Sequence, residues 1–425
     1  MPRLANSTIL KAYRQSPLLP LLLRECRTLD SARNELRWLR QHAIDIAQER
    51  RERDYEAHVA QHYASHSEPR PSPDDPAPTP SSPHRTRRIA RARPTGWRRT
   101  LRTLCHARSR GTPLQYLLGD QPFGDLTILC RKGVLIPRND TESFTYAAAE
   151  QILTRFPPPS PSNAVDKSPI ATATPTTPTP AHPNNGPLRI LDLCTGTGCI
   201  ALLLHDLLAP SYPSLKILGV DINPLAIQLS RRNLHHNTAL GWLSTRAPAE
   251  LEFRLGDVLS TPSSFSGSAH NIAALETILP QIPEFLDPTP LQGDSGVKVD
   301  IIISNPPYIS REAFVDGTTE RSVRVFEPVG ALVPPELADS EVVAVGCRGE
   351  DVFYARIAGM AGRVGARMVL FECGDYGQGE RVMELFRQVE GRWEVRIWED
   401  AMGTEGGEAG RRERACLVVA KRAEG

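Results

Sequence analysis

The sequence predicts an α/β protein: a mostly parallel sheet with helices on both faces, preceded by a small N-terminal helical domain and a β-hairpin linker. Three observations carry this. From Leu188 onward, short apolar runs alternate with helical patterns, the arrangement of βαβ units. Residues 1–110 carry apolar positions at helical spacing with arginines on the other face. Residues 111–141 show brief apolar alternations separated by glycine and proline, which reads as a hairpin joining two domains.

Composition sets the bounds. A chain of 425 residues with 40% hydrophobic content can bury a large core and form more than one domain, while 38 prolines signal stretches that do not pack. No apolar run reaches membrane-span length, since 18–23 is short and contains Pro20. A soluble protein is expected, with no membrane partner. Eight cysteines without CxxC spacing or clustered histidines indicate neither a disulfide framework nor a metal site. The formal charge is +1, but Lys and Arg outnumber Asp and Glu by 22 to 11 up to Arg110, leaving about −10 for the remainder. Residues 1–24 carry Arg3, Lys11, Arg14 and Arg24 and no acid, a composition that fits a mitochondrial presequence.

Taken in order, Asp30 or Ser31 reads as an N-cap, followed by Ala32, Leu36, Leu39, Ala43, Ile46 and Ala47 on one helical face. About 65–94 reads as a disordered insertion, rich in Pro and Ser. Helical spacing resumes at Trp97 and stops at Gly111. A helix over about 142–156 precedes a second insertion at about 157–186. Strands then follow at 188–192, 216–222 and 251–258, with helices at 200–208 and 224–236, the latter opened by Pro224. A third low-complexity stretch, about 260–296, precedes the strand Ile301-Ile302-Ile303. The last strands are read at 367–373, 395–400 and 416–421, making seven in all. Ligands of such a sheet lie at the carboxyl ends of its strands.

Chemistry is concentrated at those ends. The strand at 301–303 empties into Ser304-Asn305-Pro306-Pro307-Tyr308. Asn305 offers a carboxamide oxygen, Pro306 a carbonyl with no competing N–H from Pro307, and Tyr308 a flat amphipathic face. Together they form a slot for a planar NH2 group, and two acceptors there would aim its lone pair at an electrophile. A plain Pro-Pro turn after a core strand is the alternative. After the first strand, Asp192-Leu193-Cys194-Thr195-Gly196-Thr197-Gly198 opens a helix, a loop whose glycines allow close approach to a ligand. Dinucleotide binding is disfavoured because GxGxxG spacing is absent. Asp221 ends the second strand, placed to receive a ribose diol, and Asp257, beside Val258 after the third, could receive an adenine amino group; either could instead cap the next helix. Arg138 and Glu142 stand at the mouth, or form an exposed loop salt bridge.

The order LDLCTGTG, GVDINPLAI, GDV and NPPY resembles class I S-adenosylmethionine-dependent methyltransferases that act on amide or amino nitrogens. With PLQYLLG and VLIPRNDTE behind a helical domain, the chain is similar to the release factor glutamine methyltransferases, the HemK-like group, including its mitochondrial type. The likeness extends to Phe326-Glu327-Pro328 and Phe371-Glu372-Cys373-Gly374. It implies a Rossmann-like sheet, S-adenosylmethionine as cofactor, and N5-methylation of the glutamine in the Gly-Gly-Gln loop of a peptide chain release factor. By the same resemblance, residues 1–110 recognise the substrate and 142–425 form the methyltransferase domain. Cys194, Thr195, Gly196, Thr197 and Gly198 would hold the methionine part of the donor, Asp221 the ribose, and Asp257 with Val258 the adenine. Asn305 and Pro306, with Pro307 and Tyr308 beside them, would grip the glutamine amide, and Arg138 and Glu142 would lie near the pocket. Cys194 replaces the first glycine of the family loop, so its backbone must avoid positive φ or bear modest strain. A monomer with no stable nucleic-acid partner is expected. The alternatives are a nucleic-acid methyltransferase acting on adenine N6 or guanine N2, whose basic groove the acidic catalytic half lacks, and an inactive methyltransferase-like scaffold, against which the intact acids and Asn305 speak.

Overall fold

The computed structural model describes residues 4–65, 95–158, 186–260, 272–287, 296–336, 347–389, 391–398 and 414–423. Most of each proposed insertion lies outside them. The chain divides into two compact units, Met1–Leu118 and Gly119–Gly425.

The first unit is helical: α1 (Asn6–Gln15), α2 (Leu19–Cys26), α3 (Leu29–Ser65), α4 (Trp97–Arg108) and a short helix, Leu114–Leu118. Its core gathers Ala12, Leu19, Leu22, Leu23, Leu39, Leu101 and Cys105, all buried. The basic opening forms α1 and α2, and Ala12, Leu19, Leu22 and Leu23 from it are buried in this core. One expectation changes here. The cap of α3 is Thr28, whose hydroxyl accepts from the Ser31 N–H at 3.2 Å, and not Asp30 or Ser31. Asp30 sits inside the first turn and pairs with Arg33 at 2.7 Å instead. Within the core, Arg108 grips Glu35 through two nitrogens at 2.8 and 2.9 Å, the bidentate geometry that offsets the burial of both charges.

The second unit opens with the hairpin β1 (Asp120–Phe123) and β2 (Leu126–Leu129). The hairpin is shorter than the stretch read as linker, because 114–118 is helical and Gly119 follows it at φ +92°. Helix α5 (Asn139–Arg155) leads to β3 (Leu188–Leu193), α6 (Cys199–Leu208), β4 (Leu215–Asp221), α7 (Pro224–Ala239), β5 (Leu251–Leu255) and β6 (Ile301–Ser304). Helix α8 (Val352–Arg363), β7 (Met368–Cys373), α9 (Tyr376–Phe386), β8 (Trp393–Trp398) and β9 (Cys416–Arg422) complete it. The seven-stranded sheet runs β5-β4-β3-β6-β7-β9-β8. The first five strands are parallel, and β9 is antiparallel to both its neighbours. Strands β3, β6 and β7 are buried on both faces, so their sequences are continuous apolar runs rather than alternations.

Each face of the sheet carries its own core. One packs Phe144, Ala148 and Ile152 of α5 with Ile200, Leu203 and Leu204 of α6, together with Phe123 and Ile128 of the hairpin. The other packs Tyr354 and Ile357 of α8 and Val382 of α9 with Leu275, Ile278, Leu279, Ile282 and Phe285. Those last five fall in the stretch read as low complexity. Within 272–287 the chain forms a short helix, Leu275–Ile278, and two 3-10 turns whose apolar side chains are buried, so this part of the stretch belongs to the core.

Candidate active site

Strand register assembles the site. Leu193 pairs with Val220 on one side and Ser304 on the other, Ser304 pairs with Phe371, and Asp221 pairs with Leu255. One step further along, Cys194, Asn305 and Glu372 therefore stand side by side, with Asp221 next to Cys194 and Asp257 beyond it. Strands β3 and β6 carry the chain away in opposite directions across the sheet. Their carboxyl ends form the crevice where open α/β sheets bind ligands.

The loop after β3 is tightly fastened. The Thr195 N–H donates to the Val220 carbonyl at 3.0 Å, the Gly198 N–H to the Thr195 carbonyl at 2.8 Å, and the Asn233 amide to the Thr197 carbonyl at 2.9 Å. Cys194 adopts φ +60°, so the residue bears the strained conformation rather than avoiding it. The cost for a side chain with Cβ is about 1–2 kcal/mol. At Gly198, φ is +80° and a Cβ would lie 3.0 Å from both Phe253 and Ser230, so glycine is required there. Above Gly196 the space is open, with nothing nearer to a Cβ than the Cys194 carbonyl at 4.0 Å.

Three acids lie along this rim. Asp192 is fully buried and accepts from the Thr195 hydroxyl at 2.5 Å, while its Oδ1 has no hydrogen-bond partner. Burial pushes its pKa up to about 7 against the pull of the Thr195 bond. Asp221 accepts the N–H groups of Gly196 and Asn223, both at 2.8 Å. Burial raises its pKa and these backbone donors lower it. Asp257 closes on its own turn, with Oδ1 accepting from the Leu259 N–H at 2.9 Å and Oδ2 from the Ser260 hydroxyl at 2.5 Å. The structure thus places Asp257 at the rim in the capping geometry, and Val258 is buried in the second core. A ligand carrying a diol and a positive charge fits this arrangement, because the acids supply acceptors and negative potential beside the open space over Gly196. Among the described residues no cluster of His, Cys, Asp and Glu could hold a metal ion.

Across the crevice, the Asn305 Nδ2 donates to the Thr141 hydroxyl at 3.1 Å. Pro306 and Pro307 are buried, and Tyr308 is half-buried. The Tyr308 ring lies against the backbone of Gly374, where a Cβ would come within 2.9 Å of it. Burial, and then the charge of Glu372, hold the Tyr308 hydroxyl well above its ordinary pKa. Arg138 is at the site's mouth but pairs with Glu327, at 2.7 Å, rather than with Glu142. The other Glu327 oxygen accepts the Ile136 N–H at 3.1 Å. Glu142 is half-buried in the first turn of α5 and donates its backbone N–H to the Arg138 carbonyl.

Thr141, Glu327 and Glu372 are site residues to which sequence reasoning gave no role. Glu372 carried a usable signal: like Asp192 and Asp221, it is an acid at the end of an apolar strand. A cavity of about 890 Å³ lies elsewhere, along the outer side of α7 between Arg231, His235, Leu240 and Leu255, and shares no residue with the rim.

No protein-family model matches the chain. The mitochondrial MRF1 N(5)-glutamine methyltransferase MTQ1 of Saccharomyces cerevisiae is 28% identical over 333 residues, 78% of this chain and 68% of that one. A probable MRF1 mitochondrial N(5)-glutamine methyltransferase of Schizosaccharomyces pombe is 27% identical over 315 residues, 72% of this chain and 77% of that one. The release factor glutamine methyltransferase of Haemophilus influenzae is 28% identical over 299 residues, 69% and 74% of the two chains. Over most of its length the chain is thus similar to glutamine methyltransferases of mitochondrial and bacterial origin. The pairing of Leu193 with Ser304 brings the glycine loop after β3 and the Asn-Pro-Pro-Tyr turn after β6 together.

Proposed function

We propose that this chain transfers a methyl group from S-adenosylmethionine to the side-chain N5 of the glutamine in the Gly-Gly-Gln loop of a peptide chain release factor. The observation that carries the reading is the register of β3 with β6, which sets the loop from Cys194 beside Asn305. When bound, the donor supplies a methyl activated by a sulfonium centre and a neutral thioether as leaving group. Asp221 receives the ribose hydroxyls, the backbone of Thr195, Gly196, Thr197 and Gly198 receives the methionine part, and Asp257 with Val258 borders the adenine. On the acceptor side, the Asn305 Oδ1 and the Pro306 carbonyl each take one N–H of the glutamine amide, with Pro307 and Tyr308 forming the wall. An amide nitrogen is a weak nucleophile because its lone pair is delocalised. Two acceptors on its hydrogens localise that pair and orient it, and a strong base is not required before attack because the proton can leave afterwards. Arg138 and Glu142 border the entrance.

The reading extends to location and substrate. Two relatives are named as mitochondrial enzymes acting on MRF1, which supports a mitochondrial release factor as the partner. Among the described residues no helix is long and apolar enough to cross a membrane. The helical unit exposes Ile9, Leu10, Tyr13 and Trp38, apolar side chains suited to recognising a protein surface. The test is methyl transfer from labelled donor into purified release factor, with total RNA and DNA in parallel. Label in the release factor alone is the expected result, and label in nucleic acid alone would overturn the reading. Asn305→Ala is expected to leave donor binding intact and cut turnover on the order of 10²-fold, the usual cost of losing a preorganised polar contact.

A further inference from the structure

We propose that Glu372 is a positioning residue for the acceptor amide: acting through Thr141, it fixes which end of the Asn305 carboxamide faces the substrate. The inference rests on the methyl-transfer reading above. Glu372 is the last acid at the end of β7, level with Asn305 because Ser304 pairs with Phe371. It is 4% exposed, and its Oε2 has no hydrogen-bond partner. A carboxylate is rarely buried in this way without a task.

The task follows from donors and acceptors. Asn305 Nδ2 gives a hydrogen to the Thr141 oxygen, and both side chains lie close enough to the Glu372 carboxyl to favour its ionised form. An ionised carboxylate only accepts. The Thr141 hydroxyl proton therefore points at Glu372 and its lone pair at Asn305. Asn305 must answer with its NH2 end, which leaves Oδ1 as the atom free to receive a substrate N–H. Flipped, the carboxamide would set its oxygen against the Thr141 oxygen and the carboxylate with no proton between them. A neutral Glu372 can donate as well as accept and lifts this constraint.

Burial raises Glu372 to a pKa of about 7, and Asp140 adds to the shift, while Thr141, Asn305 and Arg138 oppose it. The other titratable groups facing it are Tyr308 after β6, Cys199 at the start of α6 and Tyr354 on α8, whose hydroxyl donates to the Glu372 carbonyl at 2.8 Å. Turnover should accordingly fall as pH drops below about 7.

The test measures kcat and KM for a purified release factor, pH profiles, and S-adenosylmethionine affinity by calorimetry. It compares wild type, Glu372→Gln, Thr141→Val, Thr141→Ser, Asn305→Ala and the Asn305→Ala/Glu372→Gln double variant. Glu372→Gln is expected to lower kcat about tenfold, the loss of one charge-assisted hydrogen bond. Its donor affinity should stay within about twofold of wild type, and its acid limb should flatten. Thr141→Val should behave alike, and Thr141→Ser should restore the rate. Because Glu372 acts through Asn305, the double variant should be no slower than Asn305→Ala alone. Independent multiplication of the two losses, a wild-type rate in Glu372→Gln, or a loss of rate that merely follows a loss of folded protein or donor binding would overturn the proposal. A wild type that methylates no release factor would overturn the parent reading and this one with it, whereas an active wild type matched by Glu372→Gln overturns this one alone.

Discussion

Glu327 joins two distant segments, and its replacement tests how the mouth of the site is held. One carboxylate oxygen pairs with Arg138 at 2.7 Å and the other accepts the Ile136 N–H at 3.1 Å. The Glu327 side chain is 2% exposed, whereas Arg138 is 35% exposed. Glu327→Gln keeps the shape and an acceptor for Ile136 but loses the charge. Since Arg138 can rehydrate, that loss is worth about 1 kcal/mol, rising to about 2 kcal/mol with the Gln NH2 turned toward the guanidinium. Glu327→Ala also strands the N–H of Ile136, which is 2% exposed. An unpaired buried donor costs about 1–3 kcal/mol, so the total for Glu327→Ala is about 2–4 kcal/mol. The assay is urea unfolding by circular dichroism, with the transition of the larger unit identified by its shift on adding S-adenosylmethionine. Equal stability of the Ala and Gln variants would refute the role of the Ile136 bond, and an Ala variant within about 0.5 kcal/mol of wild type would refute the linkage altogether.

Three further outcomes can be checked. Cys194 at φ +60° predicts that Cys194→Val, with a β-branched side chain, lowers Tm and donor affinity, while Cys194→Gly leaves Tm near wild type because about 1–2 kcal/mol of relieved strain is offset by added unfolded-state freedom; thermal melts and calorimetry decide. Gly374→Ala would push a methyl against the Tyr308 ring, so KM for the release factor should rise several-fold with donor affinity unchanged. Glu372 has its folded pKa raised from an ordinary 4.5 to about 7. The folded state therefore holds a proton that the unfolded chain releases, and stability falls as pH rises between those values, by at most about 3 kcal/mol. Melts at pH 5 and pH 8 should show that fall in wild type and a smaller one in Glu372→Gln.

Much of the sheet was legible because buried parallel strands write themselves as apolar runs, and β3, β6 and β7 do so. The glycine loop and the Asn-Pro-Pro-Tyr turn were legible for the same reason: each directly follows such a run. Pairings between distant segments were not. Arg138 stood near Glu142 in sequence, yet its partner is 189 residues away, and the alignment of Glu372 with Asn305 depends on strand register, which local pattern does not encode. Pro280 and Pro283 disguised the core segment around Leu275 as an insertion, although its apolar residues keep helical spacing. At α3 both Thr28 and Asp30 are cap formers. Placing the helix start at Leu29 leaves the task to Thr28, a choice of two residues that propensity does not resolve.

Site-resolved mass spectrometry of a purified release factor, after incubation with S-adenosylmethionine and either wild type or Asn305→Ala, addresses the central claim most directly. A single added methyl on the glutamine of its Gly-Gly-Gln peptide, formed by wild type and nearly lost with Asn305→Ala while donor binding persists, is the result expected. An unmodified glutamine with wild type, or equal modification by both proteins, would contradict the claim that Asn305 holds the acceptor amide beside the donor loop.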